Sequence, residues 1–181
     1  MDSLRAQLLV ASPQLGDPNF ARTVVLITEH NEDGAMGIVL NRPATTTVED
    51  AAPELRELVI PGDDVFVGGP VQPSSVIVLA EWETPDDSAV PIFGGIGFVG
   101  SGADPDELGR SVIRARVFAG FAGWSFGQLE SELERDDWIL EPAVPEDVFT
   151  ETPEDLWSDV LERKGGQYAL VARMPLDPSL N

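Results

Sequence analysis

This 181-residue chain has no cysteine, a single histidine (His30) and a single lysine (Lys164). Without thiols, disulfides, thiolate nucleophiles, zinc–cysteine sites and iron–sulfur clusters are all excluded. Positive charge is scarce too. Eleven Lys and Arg stand against 32 Asp and Glu, a formal net charge of −21. Such a charge favours solubility and repels phosphate backbones and anionic lipid. Binding a duplex would require a local basic stripe, yet Arg110, Arg114 and Arg116 are the only three basic residues that come close together. Direct nucleic-acid binding is therefore not expected. No window approaches the roughly 18 apolar residues of a membrane span. The N-terminal Met1-Asp2-Ser3-Leu4-Arg5, followed by a short apolar run, lacks the long core of a signal peptide. A cytoplasmic protein with no membrane association is expected.

Apolar residues make up 43% of the chain and charged residues 24%, a globular balance. The length suits one domain with a sizeable core. Buried strands are predicted at Gln7 to Ala11 and at the β-branched run Arg22 to Thr28. Asn31-Glu32-Asp33-Gly34 is turn chemistry, so residues 22–40 read as a hairpin. Thr46 or Thr47 can cap a short helix interrupted by Pro53. Further strands are expected at Asp64 to Gly68 and Ser75 to Ala80, joined through Gly68-Gly69-Pro70, and a kinked strand at Ile92 to Val99. Asp104-Pro105-Asp106-Glu107 starts a helix. A strand is then expected at Arg114 to Ala119, a capping box at Ser125 to Gln128, and a strand at Trp138 to Leu140. Thr152-Pro153-Glu154-Asp155 opens a helix burying Leu156, Trp157, Val160 and Leu161, which Gly165-Gly166 stops. A last strand is expected at Tyr168 to Ala172. Strands outnumber helices and hairpin links dominate, which gives one α+β domain over residues 1–181 and not a doubly wound sheet.

Few constellations can carry chemistry. Gly95-Ile96-Gly97-Phe98-Val99-Gly100 matches the dinucleotide fingerprint, but the next helix signal comes only at Asp104, so a kinked strand is the better reading. His30, with Glu29 and Glu32 beside it, is either a general base or a hairpin-end histidine satisfying turn hydrogen bonds. Adjacent acids such as Asp63-Asp64 and Asp136-Asp137 lack calcium-loop spacing and read as solvated charge, so neither a metal nor a cofactor is expected. Lys164 suits a helix C-terminus. Gln128, three residues after Ser125, reads first as the capping partner that bonds back to the Ser125 N–H. Trp124 precedes that cap and is either a ligand floor beside the helix N-terminus or a hydrophobic staple. Asn41-Arg42-Pro43 ends a strand, with Arg42 either in an ion pair or clamping a carboxylate or phosphate.

Asn41-Arg42-Pro43, Gly68-Gly69-Pro70 and Gly120-Phe121-Ala122-Gly123-Trp124-Ser125-Phe126-Gly127-Gln128-Leu129-Glu130 together resemble the AlgH/YqgE-like bacterial family. Phe20 to Ile27, His30-Asn31 with Gly34 to Leu40, Trp138 and Trp157 fall in the same order. The resemblance spans Leu8 to about Leu161. It implies coiled, mostly antiparallel sheets enclosing a small barrel-like core flanked by short helices. Phe121 departs from a place often held by tyrosine, and the Glu81–Pro91 loop is unusually acidic. The family's names imply transcriptional regulation, but no helix-turn-helix or basic face is recognisable.

Two functions follow as expectations. One is a non-enzymatic module that binds an unknown protein or small ligand and affects regulation indirectly. The alternative is a hydrolase using His30 as general base. In either case Asn41, Arg42, Pro43, Gly68, Gly69, Pro70, Gly123 and Trp124 are expected to line one groove. Arg42 would be its cation, Trp124 its apolar wall, and His30 would lie near its rim.

Overall fold

The computed structural model describes residues 2–175. Its backbone is a ten-stranded sheet that curls into an antiparallel half-barrel flanked by short helices, an α+β architecture. β1 (Gln7–Ala11) lies between β2 (Val24–Asn31) and the edge strand β10 (Trp138–Pro142). β2 and β3 (Gly34–Val39) form the expected hairpin, with Asn31 paired to Gly34 at its tip. Leu8, Val10, Leu26 and Ile38 face one core, while Leu9, Val25, Ile27 and Val39 face another. That division is the period-2 alternation of strands buried on both faces.

β9 (Val112–Ser125), 14 residues long, organises the rest. Its first half pairs antiparallel with β6 (Val71–Trp82), and its last residues pair with β3. β5 (Asp64–Val67) runs parallel to β9 at Phe118 and Ala119, and β4 (Pro43–Thr47) pairs with β5. The sheet thus forks around β9. Thr47 caps α1 (Val48–Ala51) by accepting the Asp50 N–H, and a 3-10 turn begins at Pro53. Asp104 caps α2 (Pro105–Ser111), as its sequence signature requires.

Several expectations are corrected. Ile92 to Val99 is not one kinked strand but a hairpin of β7 (Ala89–Phe93) and β8 (Ile96–Val99), turning at Gly94 with φ 52°. A Cβ at Gly97 would lie 2.5 Å from the Val90 carbonyl oxygen, so this glycine serves strand packing and not a pyrophosphate. Gly120 to Ser125 belongs to β9 itself. Ser125 does not cap the following helix, α3 (Gln128–Glu134). Gly127 precedes that helix with φ 73°, and only the reciprocal half of the capping box forms, the Ser125 N–H donating to Gln128 Oε1 at 3.1 Å. The helix after Thr152 starts later, as α5 (Leu156–Lys164), and buries the four residues expected. Tyr168 to Ala172 is not a strand. α6 (Gln167–Val171) turns back after Gly165-Gly166 and packs on α5, where Ala172 is buried and Val171 is drawn against the same core. Among the described residues no helix is long and apolar enough to cross a membrane.

Candidate functional site

The single histidine is fully engaged. His30 Nδ1 accepts the Leu4 backbone N–H at 2.9 Å, and Nε2 lies 2.8 Å from Glu130 Oε1 on α3. An amide donor on Nδ1 requires that nitrogen to be unprotonated, so Nε2 carries the hydrogen and donates it to Glu130. The bond from His30 is the main reason the Glu130 carboxyl sits below its ordinary range. A general base needs a free lone pair. Here the ring's one lone pair is held by the segment before β1, and His30 ties that segment to α3.

Asn41, Arg42 and Trp124 surround one segment, residues 17–23, between β1 and β2. Asn41 closes the start of β2, accepting the Val24 N–H at 3.0 Å and donating to the Arg22 carbonyl at 2.9 Å. Arg42 donates to the carbonyls of Asn19 at 2.6 Å and Ala21 at 2.9 Å. Burial lowers its pKa, while Asp17 pulls it back. Phe20 from the same segment packs on Trp124 at 6.3 Å and edge-on to Trp138 at 5.7 Å. Trp124 is 6% exposed, so core packing replaces the open apolar wall expected there.

Gly68 and Gly69 lie backbone to backbone against β9. A Cβ at Gly68 would meet the Gly120 oxygen at 2.3 Å, and one at Gly69 would meet Phe121 at 2.2 Å. The Val67 N–H bonds to the Arg42 carbonyl. Gly123 lies near the end of β9, opposite Met36. The three glycine- and proline-marked segments therefore do come together, through Arg42, Val67 and β9. They meet as packed backbone and not as an open groove. Pro70 is exposed, and Pro43 alone of the set reaches the large cleft described next.

That cleft, about 940 Å³, opens between residues 57–64, the strands β5 and β9, and residues 149–154. Arg114 and Arg116, two apart on β9, point to one side of it. Glu81 stands directly across the strand pair from Arg114 and accepts from it at 2.9 Å. This is the cross-strand pairing that opposite charges favour. Arg114 also lies over the Phe149 ring at 4.5 Å. Arg116 is different because its cross-strand partner is Leu79, which offers no charge. Its guanidinium lies 4.4 Å over the Phe66 ring, and NH1 donates to the carbonyls of Thr150 at 2.6 Å and Val148 at 3.4 Å. Nε and NH2 find no partner among the described residues. Burial lowers the Arg116 pKa, and the nearby carboxylates of Asp63 and Glu151 support its charge.

Both walls are fixed. Asp63 N–H bonds to the Ile60 carbonyl, and Asp63 Oδ2 accepts the Ile60 N–H, closing a turn through Gly62 at φ 89°. Just before the other wall, α4 (Pro145–Val148) carries Asp147, which is 3% exposed. Its two oxygens receive Arg163 at 2.9 Å each, and Oδ2 also takes the Val144 N–H. That bidentate pair anchors the segment whose carbonyls hold Arg116. Ile60 at 66% and Ile113 at 58% exposure leave apolar surface at the mouth. In the sequence, the only sign of this cleft was the Arg-Ala-Arg alternation at 114–116, a spacing that sets two cations on one strand face. Among the described residues no three His, Cys, Asp or Glu cluster as metal ligands.

Related proteins share this architecture. An UPF0301 protein of Streptomyces coelicolor is 42% identical over 187 residues, covering 100% of this chain and 97% of the relative. A crystallised Corynebacterium diphtheriae protein superposes with a TM-score of 0.88 at 32% identity, over 95% of this chain and 92% of that one. The solution structure of the AlgH protein from Pseudomonas aeruginosa, an UPF0301 protein, gives a TM-score of 0.74 at 32% identity, over 96% and 95%. A family model described as AlgH-like matches residues 8–169. The chain belongs to the AlgH-like family.

Proposed function

We propose that this chain is a single-domain, cytoplasmic, non-enzymatic binding module that takes a small ligand in the cleft between residues 57–64 and 149–154. Its effect on regulation is indirect, exerted through what it binds and not by contact with nucleic acid. One observation carries this reading. Arg116, a half-buried cation aligned by the Phe66 ring and two backbone carbonyls, lines a cleft with apolar surface at its mouth and has two nitrogens without a partner among the described residues. Few polar groups converging in a largely preformed concavity are the usual makings of a ligand site. The −21 charge argues against duplex DNA as the partner. Asn41, Arg42, Gly68, Gly69 and Trp124 act beside it as framework, with Pro43 at the cleft rim.

The test is comparative capture. Wild-type protein and Arg116→Gln are incubated with the same cell extract, and bound small molecules are identified by mass spectrometry. A compound enriched on wild type and lost from the variant is expected. Equal recovery from both proteins would refute the cleft as the binding site.

A further inference from the structure

We propose that the cleft selects a small zwitterion with an apolar body, of which an apolar α-amino acid is the simplest member; this rests on the cleft being the binding site. Three features converge on that class. The unpartnered Nε and NH2 edge of Arg116 is the planar fork that matches a carboxylate. Arg114 does not compete for the role, since Glu81 already occupies its Nε and NH2.

The second feature is the charge around that fork. Asp63, Asp64, Glu151 and Glu154 line the same cleft, and none of them makes an ion pair among the described residues. Asp63 and Glu151 lie close enough to support the charge on Arg116. One cation with an open donor edge among four carboxylates that make no ion pair repels a phosphate or any polyanion, and the overall charge reinforces that repulsion. A simple carboxylic acid would satisfy Arg116 but leave the acids unanswered. An added ammonium answers them, and like-charge rejection of the alternatives supplies the discrimination.

The third feature is apolar surface. Ile60 and Ile113 are exposed at the mouth, and the buried Phe149 lines the wall beside Arg114. A hydrocarbon side chain laid there leaves water while the charged ends remain bonded.

Titrations followed by backbone amide shifts of Ala115, Arg116 and Thr150 test the assignment, using the full chain and six probes. L-leucine and L-phenylalanine keep both charges, their N-acetyl forms lack the ammonium, L-leucinamide lacks the carboxylate, and inorganic phosphate is the polyanion. On wild type, at least one free amino acid is expected to bind. Removing either charge should weaken it at least about tenfold, the effect of one charged hydrogen bond, and phosphate should leave the shifts unmoved. Arg116→Gln should bring leucine down to the level of leucinamide. Asp63→Asn combined with Glu151→Gln should bring it down to the level of the acetylated form. The analogue series on wild type decides the matter even if a variant folds poorly. Equal binding of an amino acid and its acetylated form, or of leucine and leucinamide, overturns the zwitterion while leaving the cleft as a binding site. Silence of all six probes at these amides overturns the zwitterion and tells against the cleft itself.

Discussion

Arg42 and Arg116 are both half-buried arginines whose pKa burial lowers, and they have opposite roles. Arg42 directs both terminal nitrogens at carbonyls of one segment, residues 17–23, and so holds β1 and β2 in register with the strands beyond. Arg116 gives one nitrogen to the fold and keeps its other edge free beside a cleft. The surroundings repeat the contrast. Around Arg42 the conspicuous residues are closed against one another: Asn41 on Val24 and Arg22, Trp124 on Phe20 and Trp138, Gly69 on Phe121. Around Arg116 the residues are ordinary and the donors are open. Distinctive sequence marks tight geometry, and tight geometry leaves few groups for a ligand.

The closed face should therefore fail first by stability. Trp124→Ala removes a side chain only 6% exposed from a three-ring cluster. It should cost about 3–5 kcal/mol, as large core truncations do, read by urea denaturation. A loss below about 1 kcal/mol would show Trp124 to be a ligand wall after all. Gly69→Ala comes next, because its Cβ would lie 2.2 Å from Phe121 backbone atoms at φ 153°. Backbone must shift, at about 3 kcal/mol for overpacking and the unfavourable φ together. Gly127→Ala, with open space around it at φ 73°, should cost only about 1 kcal/mol. Equal losses would remove the packing role assigned to Gly69.

The two arginines can be set directly against each other. Arg42→Ala should destabilise by about 1–2 kcal/mol, since two charge-assisted bonds are lost from a partly solvated site. Arg116→Gln should cost less, about 1 kcal/mol, because only one of its nitrogens, NH1, is bonded to the fold. Its effect should fall on ligand capture instead. Parallel denaturation curves decide, and a larger stability loss at Arg116 than at Arg42 would make Arg116 a structural cation too.

Legibility in the sequence followed the same division. The β2–β3 hairpin was readable because a β-branched run, a polar turn and a second apolar run lie adjacent. Thr47 and Asp104 were readable as caps, since a cap depends on neighbours within three residues. What failed depended on distant partners. Gly120 to Ser125 reads locally as a loop, yet β3 and the Gly68-Gly69 backbone hold it in β9. Tyr168 to Val171 carries strand-like residues but has α5 to pack on, so tertiary context chose helix. The groove expected across Arg42 and Trp124 needed empty space, and no local pattern shows that Phe20 occupies it. Arg116 was legible only as an alternation. Its lack of a charge partner depends on Leu79 standing opposite, 37 residues earlier in the chain.

The closed face has an exception of its own, and it yields the smallest effect. Glu132 on α3 lies beside the Trp124–Trp138 pair, and burial raises its carboxyl above the ordinary range. The indole N–H groups of Trp124 and Trp138 pull the other way, yet Glu132 Oε2 and Trp138 Nε1 are both buried without a hydrogen-bond partner. A carboxyl raised in the folded state keeps its proton where the unfolded chain has released it. Its contribution to stability is therefore complete below the ordinary carboxylate range and is lost as pH rises through the raised value. Glu132→Gln keeps the shape and removes the titration. Relative to wild type, the variant should gain stability on going from about pH 4 to about pH 7, with the change confined to the carboxylate window. Urea denaturation followed by tryptophan fluorescence at the two pH values reads the difference. The same wild-type-to-variant difference at both would mean that Glu132 is solvated and that the closed face holds no strained charge.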